Sequence, residues 1–262
     1  MLSRLRRHKK QVAGILFPRY FYRLDMVNHN ALFSKWAKVH ANAPYFENRA
    51  ELYGYLNSNV LQNGPIDFLE FGVFEGKSLF KWTELNADAS SRFFGFDSFH
   101  GLVEDFANEW FVYRKGHFTT HGRIPETSDH RVTFVPGLFQ ESLCPFLSEY
   151  RPQRQLVINI DCDLHSSTLY VLATLDQLLN GAVVIFDEFS NPLHEFQAFH
   201  QYIAAFRKDY DVLAASGEYY SNVAVRLTGN STSDTATGSV AMLARSALIE
   251  GSGIAPGLAA TR

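Results

Sequence analysis

Seven short apolar runs punctuate the middle of the chain, and most gaps between them carry a helical pattern. The runs are Ile66–Phe71 (IDFLEF), 92–96 (RFFGF), 131–135 (RVTFV), 156–160 (LVINI), 182–186 (AVVIF), 211–215 and 222–227 (NVAVRL). Several are apolar throughout rather than alternating, as strands covered on both faces must be. Helical patterns fill 78–86, 138–147, 166–179 and 192–208. In 166–179, Leu169, Leu172, Leu175 and Leu179 share one face, and Gly181 stands where a helix end favours glycine. Pro192 suits the first turn of the last helix. Strand–helix alternation predicts an α/β fold, a mostly parallel sheet with helices on both faces. The last two runs are six residues apart, too close for a crossover helix, which predicts an antiparallel hairpin at the sheet edge.

Hydrophobic residues make up 46% and charged residues 19% of the 262-residue chain, enough to support a core and to exclude global disorder. Lys and Arg number 24 against 27 Asp and Glu, a net charge of −3 that argues against nucleic acid as the partner. No apolar run is long enough to span a membrane. Two cysteines, Cys144 and Cys162, cannot build a disulfide framework, and a reducing, cytoplasmic setting is expected. The 23 Phe and 12 Tyr exceed what a minimal core requires and hint at a buried interface between copies, a homo-oligomer.

Residues 1–27 read as a basic N-terminal arm opening with Arg4, Arg6, Arg7, Lys9 and Lys10, a solvated run compatible with weak attraction to an anionic membrane surface. Residues 28–60 read as N-terminal helices, 28–40 and 47–59, covering the mouth of a site. The catalytic domain is assigned to 61–228. From 229 to 262 the chain has no aromatic residue and is dominated by Gly, Ser, Thr and Ala, which predicts a flexible tail with a short helix at 240–249.

In open α/β sheets, ligands bind beyond the carboxyl ends of the strands. Four of the runs end in carboxylates: Glu70 with Glu75 in the following turn, Asp97, Asp161 with Asp163, and Asp187 with Glu188. The first turn, Gly72-Val73-Phe74-Glu75-Gly76-Lys77-Ser78, can be compared with a phosphate-cradling P-loop, and VVIFDE with its acidic partner strand. Only three residues separate Gly72 from Gly76 where the cradle needs four, and such a nucleotide hydrolase gives no role to Asp97 or to Asp161 and Asp163. The alternative is E-x-G-x-x-x-G, the first turn of class I S-adenosylmethionine (SAM) methyltransferases. On that reading Gly72 and Gly76 let the backbone approach the cofactor, Glu70 accepts from its amino group, and Asp97 accepts from the ribose hydroxyls. Ser78, Ser98, Phe99 and Asp161 complete the cofactor-binding candidates, with His100 beside Phe99.

The segments LEFGVFEGKS, FGFDSFHGL, FVPGLFQESL, INIDCDLHSSTLYVL and GAVVIFDEF resemble the macrocin O-methyltransferase family, metal-dependent sugar O-methyltransferases, over about 66–227. The resemblance implies a Rossmann-like class I methyltransferase domain with a seven-stranded sheet. It also implies a Mg²⁺ site built from Asp161, Asp187 and Glu188, with Mn²⁺ as a substitute. The same placement is similar to the catechol-type methyltransferases, so a catechol or phenol acceptor is an alternative to a sugar hydroxyl. The chain departs from the family at His165, His100, Val103 and Ala182.

A sulfonium methyl group is already activated, so the protein's task is to align an oxygen nucleophile behind it and to help remove its proton. Leu164 stands where the catechol-type enzymes carry a lysine base, which leaves Asp163, His165 and His194 as candidates. His117 and His121 lie in a Gly- and Pro-containing loop rather than a zinc-binding helix, Trp36, Trp82 and Trp110 read as core, and Cys162 as small apolar packing. A Rossmann-like protein that binds ligand without turnover is the third reading, opposed by the carboxylates at four strand ends.

Overall fold

A computed structural model describes residues 18–107 and 111–230, with side chains from 23 to 229. The described residues open with α1 (Pro18–Val39), a two-residue strand β1 (Tyr45–Phe46), and α2 (Arg49–Tyr55), which runs into a π-helical turn over Leu56–Val60. There follow β2 (Ile66–Phe71), α3 (Lys77–Leu85), β3 (Arg92–Asp97), a small ribbon of β4 (Phe106–Ala107) and β5 (Val112–Tyr113), then β6 (Val132–Pro136) and α4 (Phe139–Glu149). The last part holds β7 (Gln155–Ile160), α5 (His165–Leu175), a 3₁₀ turn (Asp176–Leu178), β8 (Val183–Phe186), α6 (Glu195–Phe206), β9 (Lys208–Ser216) and β10 (Asn222–Asn230).

The main sheet has eight strands in the order β1-β9-β10-β8-β7-β2-β3-β6. Only β10 runs antiparallel to its neighbours, β8 and β9; all other pairs are parallel. This is the expected α/β sheet with its hairpin, enlarged by one strand: Tyr45 and Phe46 pair with Ala215 and Ser216 and extend the β9 edge. Every residue of β2 and β8 is buried, including Asp67 and Glu70, so apolar runs without alternation do mark strands covered on both faces.

One apolar layer gathers Phe33 and Trp36 of α1 with α4, α5 and α6; the other gathers Leu52 and Tyr53 of α2 with Leu79 and Trp82 of α3. Trp36 and Trp82 are core residues, at 2% and 0% exposure, while Trp110 and the expected 240–249 helix lie outside the described residues. Among the described residues the first helix spans Pro18–Val39 and so extends well before residue 28. The last begins at Glu195 rather than Pro192, because His194 has a non-helical backbone and Pro192 sits in the turn ahead of it. Among the described residues no helix is long and apolar enough to cross a membrane.

Candidate active site

The chain runs outward from β2 to β3 and β6 on one side, then returns to β7 and β8 on the other, so the order reverses between β2 and β7. That crevice is where open α/β sheets hold ligands. Gly72 leaves β2 at φ +93°, and a Cβ there would lie 1.8 Å from the Asp161 carbonyl oxygen. Glycine is therefore required by the packing of two strand ends against each other, a constraint the sequence reading had attributed to the cofactor alone. Gly76 is left-handed at φ +81° and starts α3.

Asp97, at the end of β3, organises the neighbouring turns. Its Oδ2 accepts the Val73 and Phe74 backbone N–H groups, each at 2.8 Å, and its Oδ1 accepts that of Phe99 at 2.7 Å. Two amides of the glycine turn are thus engaged by a carboxylate, the opposite of a cradle holding its amides open for phosphate. Glu70 is 0% exposed, and its Oε1 accepts from Ser78 Oγ and, at 2.9 Å, from Asn159 Nδ2. Its Oε2 is buried with no hydrogen-bond partner among the described residues, and burial outweighs those hydrogen bonds to push the carboxyl up to about 8.

A cavity of about 290 Å³ opens over this crevice, lined by Gly72, Ser78, Asp97, Ser98, Asp161, Asp163, Asp187 and Glu188 together with Val73, Phe74, Leu138 and Phe139. The structure thus brings together most of the glycine turn, Glu75 included, and the acids at the ends of β3, β7 and β8, whereas Glu70 and Gly76 do not line the cavity. Asp163 projects from a tight turn closed by the Leu164 N–H to the Cys162 carbonyl at 2.6 Å, with its own φ at +61°. Burial and the charges of Glu188 and Asp187 push Asp163 up to about 7; burial and Asp187 do the same for Glu188, with Arg49 opposing.

Other sequence candidates lie apart from the lining. The Phe99 ring is 1% exposed and packs edge-on against Phe134. His165 meets Gln201 Oε1 at 2.8 Å, and His194 meets the Ala107 carbonyl at 2.8 Å while stacking on Phe106 at 4.4 Å. Neither histidine lines the cavity, because each is turned toward α6 or the β4–β5 ribbon; Asp163 is the base candidate that does.

Three residues had no sequence signal. Arg49 Nη1 donates to Asp187 Oδ1 at 2.8 Å and lies 3.4 Å from Asp161 Oδ2. Burial alone would lower its pKa, but Asp187, Tyr53 and Asp161 more than offset this and hold it cationic. Asn222, from β10, donates its Nδ2 to Asp187 Oδ1 at 2.6 Å. Glu195 is 0% exposed beneath the site, its Oε2 accepting the Glu188 N–H at 3.2 Å, and burial raises its carboxyl well above the ordinary range.

The donor set suits a hard divalent cation, since all of it is carboxylate oxygen. Asp163 and Glu188 have no side-chain hydrogen-bond partner among the described residues, and acid outnumbers base where Asp161, Asp163, Asp187 and Glu188 meet Arg49. Among the described residues these side chains do not converge into a finished coordination sphere, so the fit is one of charge and donor type.

Residues 69–189 match the family model described as a methyltransferase domain, Methyltransf_24. No curated protein matches significantly. Among solved structures, the O-methyltransferase NovP is 21% identical, with a TM-score of 0.49 over 69% of this chain and 80% of that one. CalS11, a TDP-rhamnose 3′-O-methyltransferase, is 21% identical, with a TM-score of 0.47 over 68% and 77%. An O-methyltransferase from Bacillus cereus in complex with SAH is 17% identical, with a TM-score of 0.47 over 84% and 96%. By its sheet order the chain has the α/β methyltransferase fold, and its residues 69–189 are similar to the methyltransferase-domain model.

Proposed function

We propose that the protein is a SAM-dependent O-methyltransferase that methylates a hydroxyl of a sugar or glycosylated small molecule with the help of a divalent cation, Mg²⁺ or Mn²⁺. The observation that carries this reading is that the glycine turn, Asp97, Ser98 and the four acids Asp161, Asp163, Asp187 and Glu188 line one cavity at the sheet's switch point. The sugar acceptor rests on the resemblance of five segments to the macrocin O-methyltransferases.

Glu70 and the turn after β2 would receive the amino-acid end of SAM, Ser78 holding the Glu70 carboxyl in place. Asp97 would accept from the ribose hydroxyls with what acceptor capacity its three backbone partners leave free. Asp161, Asp187 and Glu188 would hold the cation. When bound, SAM supplies an activated methyl group and the cation supplies charge that acidifies a hydroxyl. The Asp163 carboxylate would accept the acceptor's hydroxyl proton, a role supported by its position in the cavity lining and by a carboxyl pushed up to about 7.

Calorimetric titration with SAM and with ATP, each with and without Mg²⁺, tests the assignment. SAM binding without ATP binding is expected; the reverse would overturn the SAM reading and make the nucleotide hydrolase the working model. Asp187→Ala should bind SAM as the parent does and lose metal-dependent turnover, and full activity in that variant would remove the metal from the reaction. A screen of sugars against catechols and phenols then decides the acceptor class.

A further inference from the structure

We propose that Arg49 is a resident counter-cation of the Asp161–Asp187 pair, and that a divalent cation loads the site by displacing it. The inference rests on the metal reading above and concerns a residue that reading does not use. A cation held by Asp161 and Asp187 needs lone pairs on their carboxylate oxygens. Asp187 Oδ1 already accepts Arg49 Nη1 at 2.8 Å and Asn222 Nδ2 at 2.6 Å, and Asp161 Oδ2 faces the same Nη1 at 3.4 Å. A guanidinium carries only donors and a full positive charge, so it cannot become a ligand and repels any cation brought beside it. Arg49 and the ion therefore contend for the same oxygens.

The surroundings permit the exchange without unfolding. Arg49 is the first residue of α2, whose start is fixed by Asn48 Oδ1 accepting the Glu51 N–H at 3.1 Å and by Glu51 Oε2 accepting the Glu47 N–H at 3.2 Å. The backbone is thus held from outside the site, while the Arg49 side chain is 38% exposed against 23% and 18% for its partners and can rotate toward solvent. A singly charged guanidinium yields to a doubly charged ion bound by several carboxylates but not to a monovalent one, so Arg49 selects for valence while it offsets part of the acid pair's charge. Asn222 stays as a positioning residue that holds Asp187 in place through the exchange.

Competition makes a prediction that a merely structural ion pair does not: removing Arg49 tightens metal binding. Mn²⁺ binding to the full-length protein is measured by the spin-resonance signal of free Mn²⁺, with SAM binding followed calorimetrically in the same samples. Arg49→Gln is expected to bind Mn²⁺ about tenfold more tightly than the parent, and Arg49→Lys to stay near it. In the parent protein labelled at arginine Nε, added Mg²⁺ should shift one guanidinium resonance, the one absent from Arg49→Lys; Na⁺ should not shift it. Folded Arg49→Gln with unchanged or weaker Mn²⁺ binding overturns the proposal and leaves the metal reading standing. Should Arg49→Gln not fold, a guanidinium signal that stays still while Mg²⁺ binds the parent overturns it equally. Absence of Mn²⁺ binding in both parent and variant removes the metal reading and this proposal together, with the cofactor decided separately by the SAM titration.

Discussion

Glu70 is a carboxyl set inside the sheet, and its burial ties its protonation to the stability of the fold. Its native pKa is raised to about 8, mainly by burial. An unfolded glutamate titrates near 4.3, so between about pH 4.3 and 8 the native state holds a proton that the unfolded state has released. Stability therefore falls as pH rises through that window, as the sign of proton linkage requires. Glu70→Gln keeps an acceptor for Ser78 and Asn159 and removes the titration. Urea unfolding at pH 5, 7 and 9 should show the variant gaining on the parent with rising pH, by an amount on the order of a few kcal/mol at pH 9, while its SAM affinity drops at least tenfold. Parallel pH curves would mean that Glu70 is ionised in the native protein. Asp97 makes the contrasting case. Asn at that position places an NH₂ group against one of the backbone amides that Asp97 now serves, so Asp97→Asn should lose about 1–3 kcal/mol of stability along with cofactor affinity.

At the opposite end of β2, Asp67 ties that strand to β3 and to the segment leading into β7. Its carboxylate is 0% exposed and accepts from Arg92 Nε at 2.8 Å and Nη2 at 2.6 Å, from the Gln153 N–H at 2.9 Å and from the Tyr150 hydroxyl at 3.2 Å. Burial would raise this carboxyl, yet the Arg92 and Gln153 hydrogen bonds prevail and hold it below the ordinary range. Its contribution to stability is therefore present above about pH 3.9, the unfolded value, and is lost as pH falls through the lower native one. Asp67→Asn should cost about 3 kcal/mol at pH 7 by stranding Arg92, and the gap from the parent should narrow in urea melts below pH 3. Strands such as β2 were legible because both-face burial leaves an apolar run with a carboxylate at its end, and strand ends in an open sheet converge on one edge. Two-residue β1 was not legible: Tyr45 and Phe46 pair only because β9 offers its edge, with the Tyr45 hydroxyl on the Gly217 carbonyl at 2.5 Å. Arg49 was invisible for a related reason, since nothing within α2 distinguishes it from other basic residues until folding sets it between Asp161 and Asp187. Where the histidines point was not legible either, because proximity to a strand end in sequence does not decide which way a helix start turns its side chain; His165 and His194 turn to α6 or the ribbon.

On the scale of the molecule, the cavity is a seam. The glycine turn and Asp97 come from one half of the sheet, Asp161 and Asp187, the latter held by Asn222, from the other, and Arg49 from the start of α2. A ligand filling that seam joins elements that otherwise meet through Gly72 packing on the Asp161 carbonyl and through the ladder between β2 and β7. Binding to the native state alone stabilises it by mass action, about 2.7 kcal/mol when ligand is at a hundredfold excess over its Kd. For a domain of this size each kcal/mol moves the melting midpoint by roughly 2–4 °C. SAM at that excess should therefore raise the midpoint by roughly 5–10 °C, ATP should leave it in place, and Asp97→Asn should lose most of the SAM response. Scanning calorimetry of the full chain reads all three. An equal shift with ATP would mean that the seam is held closed by a phosphate at the glycine turn, against the engagement of its amides by Asp97. A SAM shift preserved in Asp97→Asn would place the cofactor's ribose away from the end of β3.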